Sequence, residues 1–403
     1  VKSYTERRVI FTSHARIIYN YRCKLGCEER RKTEGGTGLT ESETCVGRGN
    51  GGGCPNCERL PERPGSSGML YLWSPLGHTL GKVRRHLSQS GLRPESAAGG
   101  GLSVSVGDGA RDLLSSLSED TLTGTELGET RALFKSGGGE LEVSDIPRVA
   151  PLGRLAGLGR SEWLLDLLAE ERLTVHFQPI VSAGAPDEVY ARECLLRGLG
   201  EDGSTIPPGQ IFDAARDCGA LFQTDLAARR AAIREAAAHG LTANLFVNFT
   251  PTSVYDPVFC LSTTVEAVDE AGIPHENVTF EVTESEDVGD TGHLENIVRY
   301  YREQGFRIAL DDLGSGYSSL NLIHRLRPDF VKLDIGLIRD VDTDPYKAVI
   351  ARKLLELAQS LGIQTIAEGI ETPGELSWVR KEGADFVQGF LIAKPAAPQT
   401  HEP

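Results

Sequence analysis

At 403 residues the chain exceeds a usual single domain, and its 39% hydrophobic and 25% charged side chains are the composition of a globular protein with a substantial core. A formal net charge of −15 argues against a binder of nucleic-acid polymers, which normally carries a basic surface, but it allows an anionic small substrate met by locally held cations. No run approaches the ~18 apolar residues of a membrane span, and Val1 to Tyr21 holds Arg7, Arg8 and Arg16 without the apolar stretch of a leader, so the expectation is a cytoplasmic chain with no membrane span.

Five cysteines, Cys23, Cys27, Cys45, Cys54 and Cys57, fall within 35 residues. Cys54 and Cys57 form a tight knuckle that, with Cys23 and Cys27, can supply four thiolates to a tetrahedral zinc; the alternative is a solvent-facing tail. Cys194, Cys218 and Cys260 stand among apolar neighbours and read as small core residues. The segment 31–68 is rich in Gly, Ser and Thr and reads as loop, which makes 1–68 a cysteine-rich segment.

Residues 69–145 are expected to form a small mixed α/β regulatory domain. The pattern predicts a strand over Met69–Trp73, and a helix over Pro75–Ser90 with Leu76, Leu80, Val83 and Leu87 on one face. A second strand follows over Leu102–Val106, then a helical run capped by Asp108 and carrying Leu113, Leu114 and Leu117. Gly137-Gly138-Gly139 reads as a turn into a strand Glu140–Val143, and 146–160, with Pro147 and Pro151, as a linker.

A second domain, 161–397, opens on Ser161 as an N-cap before Trp163, Leu164, Leu167 and Leu168. The runs Val175–Val181 and Val189–Leu196 are separated only by Ser182–Glu188, too short for a crossover helix, so they should pair antiparallel. Helix and strand then alternate, as a parallel barrel requires. On the second of these strands Glu193 and Arg197 are four apart, hence on one face, offering a metal or proton ligand and a phosphate clamp.

The later strand-like runs end in polar groups: Val247 runs into Asn248, Phe280 into Glu281, Leu310 into Asp311 and Asp312, Val331 into Lys332, and Ala367 into Glu368. In a parallel barrel such ends converge on one rim. An all-oxygen set with a lysine and no His or Cys suits magnesium or manganese rather than zinc. Paired hard cations are the usual device for in-line attack on a phosphodiester.

Residues from about 161 to 397 resemble the EAL domain family of cyclic di-GMP phosphodiesterases. Seven blocks join Glu193-Cys194-Leu195 and its following Leu196-Arg197 in that resemblance: Gln178-Pro179-Ile180, Val247-Asn248, Glu281-Val282-Thr283-Glu284-Ser285, Asp311-Asp312 through Ser319, Lys332-Leu333-Asp334, Glu368 through Thr372, and Gln388-Gly389-Phe390. The fold it implies is a modified TIM-type α/β barrel with an antiparallel first strand, preceded by a small Cys-containing α+β domain. The activity it implies is two-metal hydrolysis of cyclic di-GMP to linear pGpG, lowering the cellular level of that messenger. The alternative is a receptor that binds cyclic di-GMP with little or no turnover and signals through the N-terminal region.

By position, the resemblance makes Glu193, Asn248, Glu281 and Asp311 ligands of a first Mg2+ or Mn2+, and Asp311, Asp312 and Glu368 ligands of a second. Lys332 matches the lysine at the attacking water, and Gln178, Leu195, Arg197 and Gln388 match nucleotide contacts. Glu284 matches the residue that steadies the loop after Asp312, and Glu371 stands with it as a supporting residue. The resemblance also suggests a homodimer. Cys194, Leu313 and Phe390 depart from the alanine, phenylalanine and tyrosine usual at those places; no ligand is lost, and loop closure is the property most exposed to the change.

Overall fold

The computed structural model describes residues 59–117, 121–241, 244–283, 291–314 and 319–397. The five clustered cysteines and Glu284 lie outside the described residues, as do Ser315 to Ser318. The chain divides into two compact units, one ending at Glu162 and also holding Asp217–Gly219, the other comprising Trp163–Arg216 and the chain from Ala220 onward.

In the first unit β1 (Gly68–Trp73), β2 (Glu95–Ala97), β3 (Gly101–Val106), β4 (Arg131–Ser136) and β5 (Ala150–Pro151) form an antiparallel sheet in the order β2-β3-β1-β4-β5. β1 takes the centre because Leu70 and Leu72 on one face and Tyr71 on the other are all buried. Helix Gly77–Gln89 buries Thr79, Val83 and Leu87. The expected stripe is thus rotated: the helix starts one residue after Leu76, which stays exposed, and Thr79 turns inward to donate to Glu126 at 2.9 Å. Glu126 belongs to a capping box with Thr123 at the start of helix Gly124–Glu129, and Lys82 Nζ sits 2.9 Å from its Oε2.

Four sequence expectations fail in or beside this unit. Gly109, with φ +104°, rather than Asp108, precedes helix Ala110–Ser116, since the left-handed turn there needs a residue without Cβ. No strand spans Glu140–Val143; the glycine turn leaves β4 instead of entering a strand, and a 3-10 helix follows over Val143–Arg148. The expected linker 146–160 is largely structured, because Pro151 stands just before helix Leu152–Arg160, whose Leu152, Leu155, Ala156 and Leu158 are buried. Ser161 closes that helix, its N–H donating to Gly157 O at 2.9 Å, ahead of helix Glu162–Ala169.

In the second unit β6 (Leu173–Ser182), β7 (Val189–Leu199), β8 (Thr205–Ile206), β9 (Leu245–Asn248), β10 (Val278–Thr283), β11 (Arg307–Leu313), β12 (Phe330–Leu333), β13 (Gln364–Ala367) and β14 (Phe386–Val387) build one sheet. All except β8, which extends β7, close into an eight-stranded barrel through the β6–β7 and β14–β6 pairs. β7 and β9 to β14 run parallel, and β6 runs antiparallel to both neighbours, as the short connection 183–188 to β7 demands. Among the connecting helices are Leu221–Ala238 and Pro345–Leu361.

The barrel interior below the rim is apolar: Ile180, Phe246, Ala309, Phe330, Ile366 and Phe386 pack together, with Tyr190 stacked on Phe386 at 4.0 Å. Each fully buried phenylalanine contributes about 1.5–3 kcal/mol. This plug fixes the depth at which the next layer of side chains, the polar one, begins. Among the described residues no helix is long and apolar enough to cross a membrane.

Candidate metal centre at the barrel rim

Strand register assembles the site. Gln178 on β6 pairs with Glu193 on β7, and Asn248, the last residue of β9, pairs with Glu281 on β10. Thr283 lies beside Asp311 on β11, Lys332 is the third residue of β12, and Glu368 follows the end of β13. Six strands therefore deliver Glu193, Asn248, Glu281, Asp311, Lys332 and Glu368 to one end of the barrel.

Asp311 and Asp312 require a separate device, because neighbours on a regular strand point to opposite faces. The β11–β12 ladder breaks between Leu310 and Leu313, and Asp312 takes φ +56°, so the two aspartates occupy a bulge. Carboxylate oxygens of Asp311, Asp312 and Glu368 then all come within 4.8 Å of one another. A bulge of this kind re-aims side chains, and aspartate is among the residues that best tolerate a left-handed φ.

Lys332 is buried at the centre of this basin. Its Nζ lies 2.7 Å from Glu281, 2.8 Å from Glu368, 3.2 Å from Asp311 and 3.5 Å from Glu193. Asn248 Nδ2 donates to Glu281 Oε2 at 2.9 Å and to Glu193 Oε1 at 3.3 Å. Gln388 Nε2 donates to Glu193 Oε2 at 2.6 Å and to Gln178 Oε1 at 3.0 Å. Polar side chains thus line both flanks of Glu193.

One ammonium does not balance so many carboxylates. Burial pushes Glu281 well above the usual carboxylate range, with Glu193 and Asp311 adding to the rise and Lys332 opposing it. Burial likewise raises Glu368 to about 8, against the pull of Lys332, and Asp312 to about 6, with the charge of Asp311 assisting. Glu193 differs: burial works against its charge, but Lys332 and the amides of Gln388 and Asn248 outweigh it and hold its carboxyl below the ordinary value. Burial pushes Lys332 down, yet the carboxylates of Asp311, Glu193, Glu281 and Glu368 carry it well above its ordinary value.

Two observations fit this basin to hard cations. Glu281 Oε1 and Asp311 Oδ1 are buried and, although close to Lys332, accept no hydrogen bond of good geometry. The donors are also all oxygen, the set preferred by Mg2+ and Mn2+. Asp311, Asp312 and Glu368 are a set that can hold a metal ion.

Not every residue picked out in the sequence joins the basin. Arg197 does not pair with Glu193; its guanidinium turns back onto the carbonyls of Leu196, at 2.7 Å, and Leu195, at 3.4 Å. Leu195 is half-buried between them. Glu371 pairs with Arg339. Other neighbours of the site are given no role by the sequence pattern. Gly389 approaches the Ile370 backbone so closely that a Cβ would meet its oxygen at 2.1 Å. The buried pair Asp225–Arg229 anchors the chain just after Asn248; its only sequence signal is opposite charge at i and i+4 in an alanine-rich helix.

Residues 161–395 match the model of the EAL domain. Cyclic di-GMP phosphodiesterase PdeR of Escherichia coli is 28% identical over 235 residues, covering 58% of this chain and 35% of PdeR. Cyclic di-GMP phosphodiesterase NbdA of Pseudomonas aeruginosa is 29% identical over 247 residues, covering 59% of this chain and 31% of NbdA. The chain spans about a third of the length of these curated relatives. A standalone EAL protein from Vibrio cholerae O395, solved in its c-di-GMP-bound form, is 38% identical with a TM-score of 0.51, covering 56% of this chain and 92% of that one. The PaMucR phosphodiesterase in complex with c-di-GMP is 27% identical with a TM-score of 0.52, covering 58% and 96%. With a family model matched across more than half of its length, on a barrel whose rim carries the acidic basin described above, the chain belongs to the EAL domain family.

Proposed function

We propose that the barrel hydrolyses cyclic di-GMP to linear pGpG with two divalent cations, Mg2+ or Mn2+. The observation that carries this reading is the convergence of Glu193, Asn248, Glu281, Asp311, Asp312 and Glu368 around Lys332 on one rim, with no candidate ligand missing. The phosphodiesterases PdeR and NbdA and the c-di-GMP complexes of similar chains support the choice of substrate.

Glu193, Asn248, Glu281 and Asp311 would hold one cation, and Asp311, Asp312 and Glu368 the other. When bound, the pair would supply charge neutralisation at the phosphodiester and a nucleophile drawn from water at neutral pH. Lys332 Nζ would turn from carboxylates to water and donate a hydrogen bond that orients the attacking oxygen. Gln178, Gln388 and Leu195 border Glu193 and would position the nucleotide. Arg197 would have to leave its own strand's carbonyls to reach a phosphate. We assign residues 69–145, whose described part holds none of these groups, a regulatory or partner-binding role.

The test is incubation of the full chain with cyclic di-GMP and Mg2+ or Mn2+, with chromatography for the linear dinucleotide. Metal-dependent pGpG formation is expected. Nucleotide binding without product under either metal would replace the enzyme by a receptor.

A further inference from the structure

We infer that the buried ion pair Asp225–Arg229, outside the metal basin, is a positioning device that sets Asn248. Both residues stand one turn apart on helix Leu221–Ala238, and neither side chain is more than 2% exposed. Burying two charges is costly unless geometry and further hydrogen bonds compensate. Here they do: Arg229 Nε and Nη2 donate to Asp225 Oδ2 at 3.1 and 2.9 Å, and Nη1 reaches Thr264 and the Tyr301 hydroxyl.

The carboxylate's other oxygen is aimed at the chain that leaves β9. Asp225 Oδ1 accepts the backbone N–H of Thr250 at 2.8 Å, and Oδ2 also accepts the Ser253 hydroxyl at 3.3 Å. The same hydroxyl, with one proton shared between the two acceptors, lies 2.7 Å from Thr250 O and closes the turn. Thr250 is two residues after Asn248. Between them Phe249 is fixed by its N–H to Glu281 O at 3.2 Å and by edge contacts with Phe280 and Tyr301. Asn248 itself bridges Glu281 and Glu193. The path from Arg229 to the basin is therefore continuous: hydrogen bonds carry it to Thr250, and the backbone, pinned at Phe249, carries it back to Asn248.

A charge pair that served only helix stability would not need to hold a loop N–H. With Arg229 made apolar, a neutral amide at 225 would keep that acceptor, whereas an apolar residue at 225 would lose it. The turn after β9 would then be free to shift, and with it the amide that spans two of the carboxylates. This assignment rests on the metal reading for its consequence, but the placement of Asn248 can be followed without any metal.

The variants, all in the full chain, are Asp225→Ala combined with Arg229→Met, Asp225→Asn combined with Arg229→Met, neither of which leaves a lone buried charge, and Ser253→Ala. The first readout is hydrogen exchange of the Asn248 side-chain amide in metal-free, 15N-asparagine-labelled protein, assigned by its loss in Asn248→Asp. The Asp225→Ala/Arg229→Met variant should speed this exchange about tenfold or more, Ser253→Ala about threefold, and Asp225→Asn/Arg229→Met less than either. The second readout is Mn2+ affinity by paramagnetic titration, expected to weaken about tenfold in Asp225→Ala/Arg229→Met while Asp225→Asn/Arg229→Met stays within about threefold of wild type. A folded Asp225→Ala/Arg229→Met variant with unchanged Asn248 exchange overturns the inference, as does unchanged exchange in Ser253→Ala if that variant fails to fold. Wild-type protein that binds no Mn2+ would instead refute the metal reading and leave the exchange test standing.

Discussion

Lys332 Nζ stands 2.7 Å from Glu281 Oε1, and both side chains are buried at the mouth of the barrel. This pair is the hub of the basin, since the same ammonium is also within 3.5 Å of Glu193, Asp311 and Glu368. A cation bound by those carboxylates would take over their neutralisation and release the ammonium for work on water.

Lys332→Met should therefore act in two separable ways. Turnover should fall about a hundredfold or more, with affinity for cyclic di-GMP within several fold, because the ammonium is assigned to the attacking water and not to the nucleotide. Metal-free stability should also fall by about 3–5 kcal/mol, the usual consequence of removing one partner of a buried charge set, softened where Glu281 and Glu368 take up protons. Added Mn2+ should recover most of that loss in thermal melts. An affinity that collapses in step with rate would make Lys332 a substrate clamp.

Asp311 is the residue whose loss should be felt most at the metals. It joins Lys332, the bulge with Asp312, and the oxygen cluster with Glu368. Asp311→Asn and Glu193→Gln each keep shape and remove the charge that offsets a hard cation. Both should abolish measurable pGpG formation, and Asp311→Asn should also weaken Mn2+ binding more than Glu193→Gln, since it would serve both ions. Near-normal hydrolysis by Asp311→Asn at ordinary metal concentrations would sink the two-metal assignment.

The alternation of apolar runs and polar strand ends made the rim legible in the sequence, because side-chain period and barrel topology are both local consequences of pattern. What pattern does not carry is departure from period. Adjacent Asp311 and Asp312 reach one cluster only through a bulge and a left-handed φ, neither of which a period-two reading contains. Arg197 sits on the expected strand, yet its guanidinium is captured by nearby carbonyls, a choice settled by tertiary geometry. In 146–160 the spacing of Leu152, Leu155 and Leu158 is helical, but Pro147 and Pro151 read as linker punctuation, whereas Pro151 serves as the residue before the helix.

Gly389 offers a steric test of how Gln388 is held on Glu193. Ile370 N–H donates to Gln388 O at 3.0 Å and Leu391 N–H to Ile370 O at 3.0 Å, so the two segments are laced together with Gly389 between them. A Cβ on Gly389 would lie 2.1 Å from Ile370 O and 2.2 Å from Ile370 N, and backbone cannot swing aside as a side chain can. Gly389→Ala should cost about 1–3 kcal/mol in urea unfolding, the range for overpacking. It should also reduce turnover by moving the Gln388 amide off Glu193. Unchanged stability and rate together would mean that the segment yields freely.

Glu126 gives the first unit a titratable anchor. Its carboxylate accepts the Thr123 backbone N–H at 2.9 Å, the Lys82 ammonium at 2.9 Å and the Thr79 hydroxyl at 2.9 Å. The backbone bond from Thr123 first, then Lys82, lowers its pKa from 4.5 to about 2, against the effect of burial. Because the folded value lies below the unfolded one, the unfolded chain binds the proton more readily. The contribution to stability is therefore fully present above about pH 4.5 and is lost as pH falls toward about 2. Glu126→Gln cannot ionise, so it should melt below wild type at neutral pH, with the gap closing across that acid window. The comparison is best made on the transition that reports β1 to β5, followed by hydrogen exchange of their amides. A gap that keeps its size from neutral pH down to about 2 would assign the role of Glu126 to hydrogen bonding that the neutral amide also lacks, independent of charge.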